Sequence, residues 1–191
     1  LNNVTSGLDG GIFDGIAVGS LTDYFNTETG MTTLSSSTSY DTWFSIDNSI
    51  GFIFNGEVFD KIYIGSDSCF KFANEEPTTS GQQELKDVNI CVYKGESSSI
   101  KYQEIAFGDN NAIKIRFSGY TQYSRRTSPY ALTYEIFFVD NGQIVMNFIT
   151  IPTTTSEQFG QCKIIEGASS TPFIPSTTPT VFEREDGTWI G

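Results

Sequence analysis

The stretch from Tyr130 to Thr150, YALTYEIFFVDNGQIVMNFIT, limits the possible folds of this chain more than any other part of it. Two runs rich in β-branched and aromatic residues flank Asn141-Gly142. Such a pair suits a two-residue type I′ turn, because both positions accept positive φ. Counting outward from that turn places Val139 opposite Ile144, Phe138 opposite Val145 and Phe137 opposite Met146. Leu132, Tyr134, Ile136 and Phe138 then share one face, with Phe137 and Val139 on the other. Both faces are largely apolar, which predicts a central hairpin covered on one side and partly on the other. Alternation alone does not say which face is inner.

Other stretches carry the same period. AIKIRFSGY sends Ile113, Ile115 and Phe117 one way and Lys114 and Arg116 the other, after a turn at Asp109-Asn110-Asn111. FDKIYIG alternates around Ile62 and Ile64, with Lys61 and Tyr63 opposite, and SCFKF alternates again. Asn55-Gly56 supplies a further hairpin turn. DTWFSI, Ser99 to Phe107, CKIIE and the closing pair TVFERE and GTWIG read as strands, as does DVNICVYK with Val88, Ile90 and Val92 on one side. Pro172, Pro175 and Pro179 make 167–180 an extended connection. No 3.6-residue stripe persists between helix caps. About ten short strands separated by turns predict an all-β chain, an antiparallel β-sandwich of jelly-roll-like or Greek-key kind.

Residues 1–40 look different and read as an N-terminal arm ahead of a sandwich over 41–191. Glycines puncture the first twenty residues, leaving Ile12, Phe13, Ile16 and Val18 as apolar content, and Thr27 to Ser39 reads as a polar Ser/Thr-rich loop. The arm is either a segment that docks elsewhere in an assembly or an ordinary edge strand. The chain begins Leu-Asn-Asn, which reads as processed or excerpted from something longer.

Composition removes several function classes. There is no histidine, hence no Ser-His or Cys-His nucleophile and no commonest zinc ligand. A formal net charge of −12 opposes nucleic acid or an anionic membrane as partner. No apolar run is long enough to span a membrane as a helix. Cys69 and Cys91 lie in apolar runs and read as small buried hydrophobes; with Cys162 they are far apart and show no C-x-x-C spacing, and a single disulfide is open. No metal loop, phosphate cradle or G-x-S-x-G motif occurs; Asp9 with Asp14 is a weak substitute for a calcium loop, and Gly65-Ser66-Asp67-Ser68 has a serine near an acid but no base. Glu104 and Glu135 are the candidates for a glycosidase pair, set against the commoner reading of acids on a solvent-facing sheet. No cofactor is expected.

The order of motifs resembles a known module. IGFIFNGEVFDKIYIGSDSCFKF (residues 50–72), the stretch Ile113 to Thr121, the hairpin Tyr134 to Ile144 and the closing VFEREDGTWIG together look like β-sandwich modules of tailed-phage virion proteins, more distantly nidogen-like extracellular domains. The likeness covers about residues 43–190 and departs from the pattern at Asp67-Ser68-Cys69. It implies a non-enzymatic virion component, a tail, fibre or capsid-associated module assembling with other virion proteins or copies of itself. The alternative is a carbohydrate-binding or adhesive module of an extracellular protein. For either, the compositional anomaly is the loop with Tyr120, Tyr123, Arg125, Arg126 and Tyr130, which sets three tyrosines and two cations in an acidic chain. Tyrosine and arginine suit contact surfaces, including a cell-surface glycan. The competing reading packs the tyrosines at the sandwich end and lets the arginines neutralise nearby acids, with exposed ion pairs of little energetic weight.

Overall fold

The structure is a computed structural model that describes residues 21–83, 87–122, 125–154, 162–185 and 188–190. Two antiparallel sheets pack face to face. The seven-stranded sheet runs β1 (Thr32–Ser35), β8 (Glu96–Phe107), β9 (Asn110–Tyr120), β10 (Ala131–Val139), β11 (Ile144–Thr150), β14 (Thr180–Glu185) and β15 (Thr188–Ile190). The six-stranded sheet runs β13 (Ser169–Pro172), β12 (Cys162–Glu166), β7 (Ile90–Val92), β6 (Cys69–Ala73), β5 (Lys61–Gly65) and β2 (Trp43–Asp47). A small hairpin, β3 (Ile53–Phe54) and β4 (Glu57–Val58), closes on Asn55 and Gly56, whose φ values of 53° and 74° fit the type I′ turn. A short helix, α1 (Thr79–Gln83), lies in the loop after β6. The chain meanders through β5, β6 and β7 in one sheet, then through β8 to β11 in the other.

The inter-sheet core follows the alternation. Ile113, Ile115 and Phe117 of β9 and Leu132, Tyr134, Ile136 and Phe138 of β10 meet Ile62, Ile64, Phe70, Phe72, Ile90 and Val92 of the opposing sheet, all within 1% of full burial. Phe52 and Phe54 fill one end, with ring centroids 5.2 Å from Phe138 and 4.7 Å from Phe72 respectively. Asn48 holds their loop, accepting from Phe52 N and donating to Phe52 O and Phe59 O, each at 2.9 Å.

Four expectations need correction. In the central hairpin Phe138, not Val139, pairs with Ile144, because the loop has three residues, Asp140 to Gly142. Gly142 N donates to Val139 O (2.9 Å) and Gly142 itself sits at φ 94°, so a tight turn is followed by a left-handed glycine. Val88 belongs to the outer face of the six-stranded sheet with Trp43 and Tyr63, since β7 begins only at Ile90 and Asp87 reverses the backbone at φ 54°. The connection 167–180 contains β13, paired with β12 across a turn at Gly167. Likewise, part of the Ser/Thr-rich stretch is β1, the edge strand beside β8. Ile12, Phe13, Ile16 and Val18 lie outside the described residues.

The outer face of the seven-stranded sheet is also apolar. Ile105, Phe107, Phe137, Val139, Val145 and Val181 are covered there by Leu21, Tyr24 and Phe25. Set into this second interface is a buried ion cluster. The carboxylate of Glu135 is fully buried; it accepts from Lys114 Nζ (3.1 Å), Arg116 Nη1 (2.9 Å), Asn147 Nδ2 (3.0 Å) and Asn26 N (2.6 Å). Lys114, also fully buried, donates in addition to Tyr24 O (2.5 Å) and Thr27 O (2.7 Å). Burial pulls the Lys114 ammonium below the usual lysine range, and the Glu135 charge opposes that pull. The two charges therefore depend on each other and on the backbone of 24–27. Glu135→Leu would leave the Lys114 charge without its buried counter-charge. We expect a loss of about 3–5 kcal/mol in denaturant unfolding, with chymotryptic cleavage appearing at Tyr24 or Phe25.

Candidate functional site

One end of the sandwich collects four chain segments. The β5–β6 connection supplies Ser66 to Ser68, and the β7–β8 connection supplies Tyr93 to Gly95 ahead of Glu96. The segment before β2 supplies Tyr40 to Thr42, and the β9–β10 loop supplies Arg125 and Arg126. Backbone bonds lock them together. Ser66 N donates to Thr42 O (2.9 Å), Gly95 N to Asp67 O (2.7 Å), Ser97 N to Ser66 O (2.9 Å) and Val92 N to Ser68 O (3.0 Å). Ser66 Oγ accepts from Thr42 N (2.9 Å). Gly65 is required by close approach: a Cβ there would lie 2.6 Å from Gln82 Oε1 of α1 and 2.5 Å from Cys69 Sγ.

Four non-glycine residues at this end hold positive φ: Asp41 (46°), Ser68 (68°), Tyr93 (67°) and Lys94 (51°). Each conformation is sparsely populated for such residues, and a cluster of them marks a place where geometry is held against local preference. The electrostatics are equally concentrated. Burial pushes the Asp67 carboxyl up to about 7, helped by the charge and hydrogen bond of Asp41 and by Glu96, with Lys94 opposing. Arg126 Nη2 donates to Glu96 Oε1 (3.0 Å) and to Tyr40 Oη (3.3 Å). The Glu96 side chain is 7% exposed against 46% for Arg126, so the pair is half sunk. Beneath it, Ser68 Oγ and Tyr134 Oη share a buried hydrogen bond of 2.8 Å, which ties the loop end to the centre of the core.

The structure separates the residues proposed from sequence. Tyr120 ends β9, half-buried, opposite Glu96 in register. Arg125 is exposed, its guanidinium 5.9 Å from the ring centroid of the partly buried Tyr130. Tyr130 O closes the loop by accepting from Thr121 N (2.9 Å). Tyr123 lies outside the described residues. Arg126 links this loop to Tyr40 and Glu96, and its partner Glu96 is buried; the expectation of a weak exposed pair does not fit it. Sequence reasoning missed Tyr40, Asp41, Lys94 and Glu96. It did single out the Gly65–Ser68 turn, whose acid is the central one.

Glu104 and Glu135 do not form a pair. Glu135 points to the outer face in the ion cluster, whereas Glu104 sits opposite Ile113, a residue of the inter-sheet core, and is exposed beside Ser49 Oγ (2.5 Å). Their carboxylates leave the sheet on opposite sides. Cys69, Cys91 and Cys162 are all buried thiols, and burial raises the last two to about 11 and about 12. Asp9 and Asp14 lie outside the described residues. Among the described residues, no group of three or more Cys, Asp or Glu side chains is placed to hold a metal ion.

The loop end thus brings together an exposed tyrosine ring, two guanidinium groups and a carboxyl whose pKa burial raises to about 7. Comparisons with protein-family models, with curated proteins and with solved structures found no match to this chain.

The Asp67 shift fixes a pH dependence. Its folded-state pKa of about 7 lies above the ordinary 3.8, so the folded chain binds this proton more tightly than the unfolded one. The associated stability is complete below about pH 4 and is lost as the pH rises through about 7. Asp67→Asn keeps the neutral form at every pH. We expect its melting temperature to keep the same offset from the parent only below about pH 4, and to gain on the parent steadily from there to pH 8. Parallel curves from pH 3 to pH 8 would mean that folding leaves the Asp67 carboxyl unshifted.

Proposed function

We propose that the chain is a non-enzymatic virion component, a tail, fibre or capsid-associated module of a tailed phage, acting through protein–protein assembly at its loop end. The carrying observation is the distribution of what is covered and what is offered. Apolar side chains on both outer sheet faces are buried by the chain's own segments, while Tyr40 (52% exposed), Arg125 and Arg126 are displayed together at one end. Large aromatic and guanidinium groups are those that dominate protein contacts. The resemblance of residues 43–190 to phage β-sandwich modules supports the same reading. The partner is another virion protein or a second copy of the chain.

A second reading, carbohydrate binding by an extracellular or receptor-contacting module, is favoured by one feature. The Tyr40 hydroxyl lies beside Arg126, itself on Glu96, so a stacking ring sits next to hydrogen-bonding groups suited to sugar hydroxyls.

Cross-linking mass spectrometry on intact particles of the encoding virus tests the first reading. Cross-links from Lys94 to a neighbouring virion protein or a second copy would support it, and particles lacking the chain would end it. Arg125→Ala is the clean mutational probe, because Arg126 compensates a buried carboxylate. We expect Arg125→Ala to leave the melting transition unchanged and to weaken attachment by about 1–3 kcal/mol, in a salt-dependent manner. By contrast, Arg126→Ala should itself cost about 1–3 kcal/mol of stability. Attachment indifferent to Arg125 and to salt would return the loop to packing.

A further inference from the structure

Cys69 and Cys91 stand directly opposite each other on the neighbouring antiparallel strands β6 and β7. Val92 N donates to Ser68 O (3.0 Å), which makes Ser68 and Val92 a hydrogen-bonded position and the cysteines the adjoining non-hydrogen-bonded one. Opposed residues at such positions have Cα atoms about 4.5 Å apart and side chains on the same face. That separation falls inside the range of about 4.4–6.8 Å spanned by disulfides. The faces agree: Phe70, Ile90 and Val92 point into the inter-sheet core, and Cys69 packs outside with Trp43, Tyr63 and Val88. Alternation puts Cys91 on that outer side as well. Cys162 is elsewhere; it belongs to the inter-sheet core and pairs in register with Val92.

We propose that Cys69 and Cys91 are a cross-strand dithiol that closes to a disulfide when the chain meets a disulfide-class oxidant, such as glutathione disulfide or an oxidised thiol–disulfide oxidoreductase, while Cys162 stays a thiol. One thiolate attacks a sulfur of the oxidant, forming a mixed disulfide and releasing one oxidant thiol. The second thiolate attacks the protein sulfur of that mixed disulfide, the Sγ–Sγ bond forms, and the second oxidant thiol leaves. Two electrons and two protons pass to the oxidant.

The reduced pair is at rest in other contacts. Cys69 Sγ fills the space beside Gly65, and Cys91 Sγ accepts a bond from the Lys94 backbone N–H. Closure therefore exchanges these contacts for the Sγ–Sγ bond, with no change of register. Both thiols are buried, so closure accompanies folding or local opening more readily than it occurs in the intact fold. Once made, the bond ties the ends of the long polar loop that carries α1, which raises stability through the unfolded state.

The experiment refolds the full chain in a glutathione disulfide buffer and, in parallel, in dithiothreitol. Remaining thiols are alkylated, and the peptides are mapped without reduction. The expected result is a 69–91 linkage with Cys162 alkylated, and a melting temperature roughly 5–10 °C above that of the reduced chain. Cys162→Ser should keep both the linkage and the shift, and Cys69→Ala should lose both. A linkage that includes Cys162, or no 69–91 linkage in the chain refolded with oxidant, would overturn the proposal. So would a disulfide that lowers the melting temperature.

Discussion

Strand β10 is apolar on both sides, and that requirement runs through the rest of the architecture. Its even-numbered residues, from Leu132 to Phe138, need the opposing sheet; Phe137 and Val139 need a second cover, which the chain provides by laying Leu21, Tyr24 and Phe25 across the outside. An apolar cover alone could slide. The Glu135–Lys114–Arg116 cluster prevents this, because its charges are satisfied only when the backbone of Tyr24, Asn26 and Thr27 arrives in register. Burying such charges adds little net stability over a hydrophobic alternative, but a misplaced cover would strand them at a cost of several kcal/mol. The cluster thus selects one docking arrangement.

Much of the fold was legible because a period of two is hard to mistake. Ile62/Ile64 and Ile113/Ile115/Phe117 each share a face as the alternation says, and that face is the core, whereas for β10, apolar on both sides, it is the structure that makes the even-numbered residues the inner set. The hairpin register was not legible, for a physical reason. Asn141-Gly142 suits a two-residue turn, but Asp140 is held from outside the hairpin. Its N–H donates to Asn111 O and its carboxylate accepts from Asn111 N, each at 2.9 Å, so the neighbouring β8–β9 turn draws it into the loop. Long-range hydrogen bonds of that kind leave no local trace in sequence. Neither does the difference between a polar loop and an edge strand such as β1, whose Ser and Thr residues satisfy either role.

The candidate site was only half visible. The Tyr/Arg loop stood out by composition, and the Gly65–Ser68 turn stood out as a serine beside an acid, yet nothing in the sequence joined them. The link is Glu96, and it depends on the β8–β9 register that sets Glu96 opposite Tyr120, within reach of Arg126. Lys114 shows the opposite failure. Alternation put it on the face away from Ile113, Ile115 and Phe117, where a lysine ordinarily reaches water, but the second cover buries it and changes its chemistry.

The strand order also sets a timetable for synthesis. The seven-stranded sheet draws β1 from near the start of the chain and β14 and β15 from its end, with β12 and β13 of the other sheet lying between β11 and β14 in sequence. As the polypeptide leaves the ribosome, β8 to β11 can zip together while the outward edge of β11, rich in Val, Met and Phe, still awaits β14. An unpaired apolar edge of that kind is where nascent chains associate wrongly. Premature termination anywhere between Thr150 and Thr180 would make that open edge permanent, and the truncated chain should be found in aggregates rather than as a shorter soluble product.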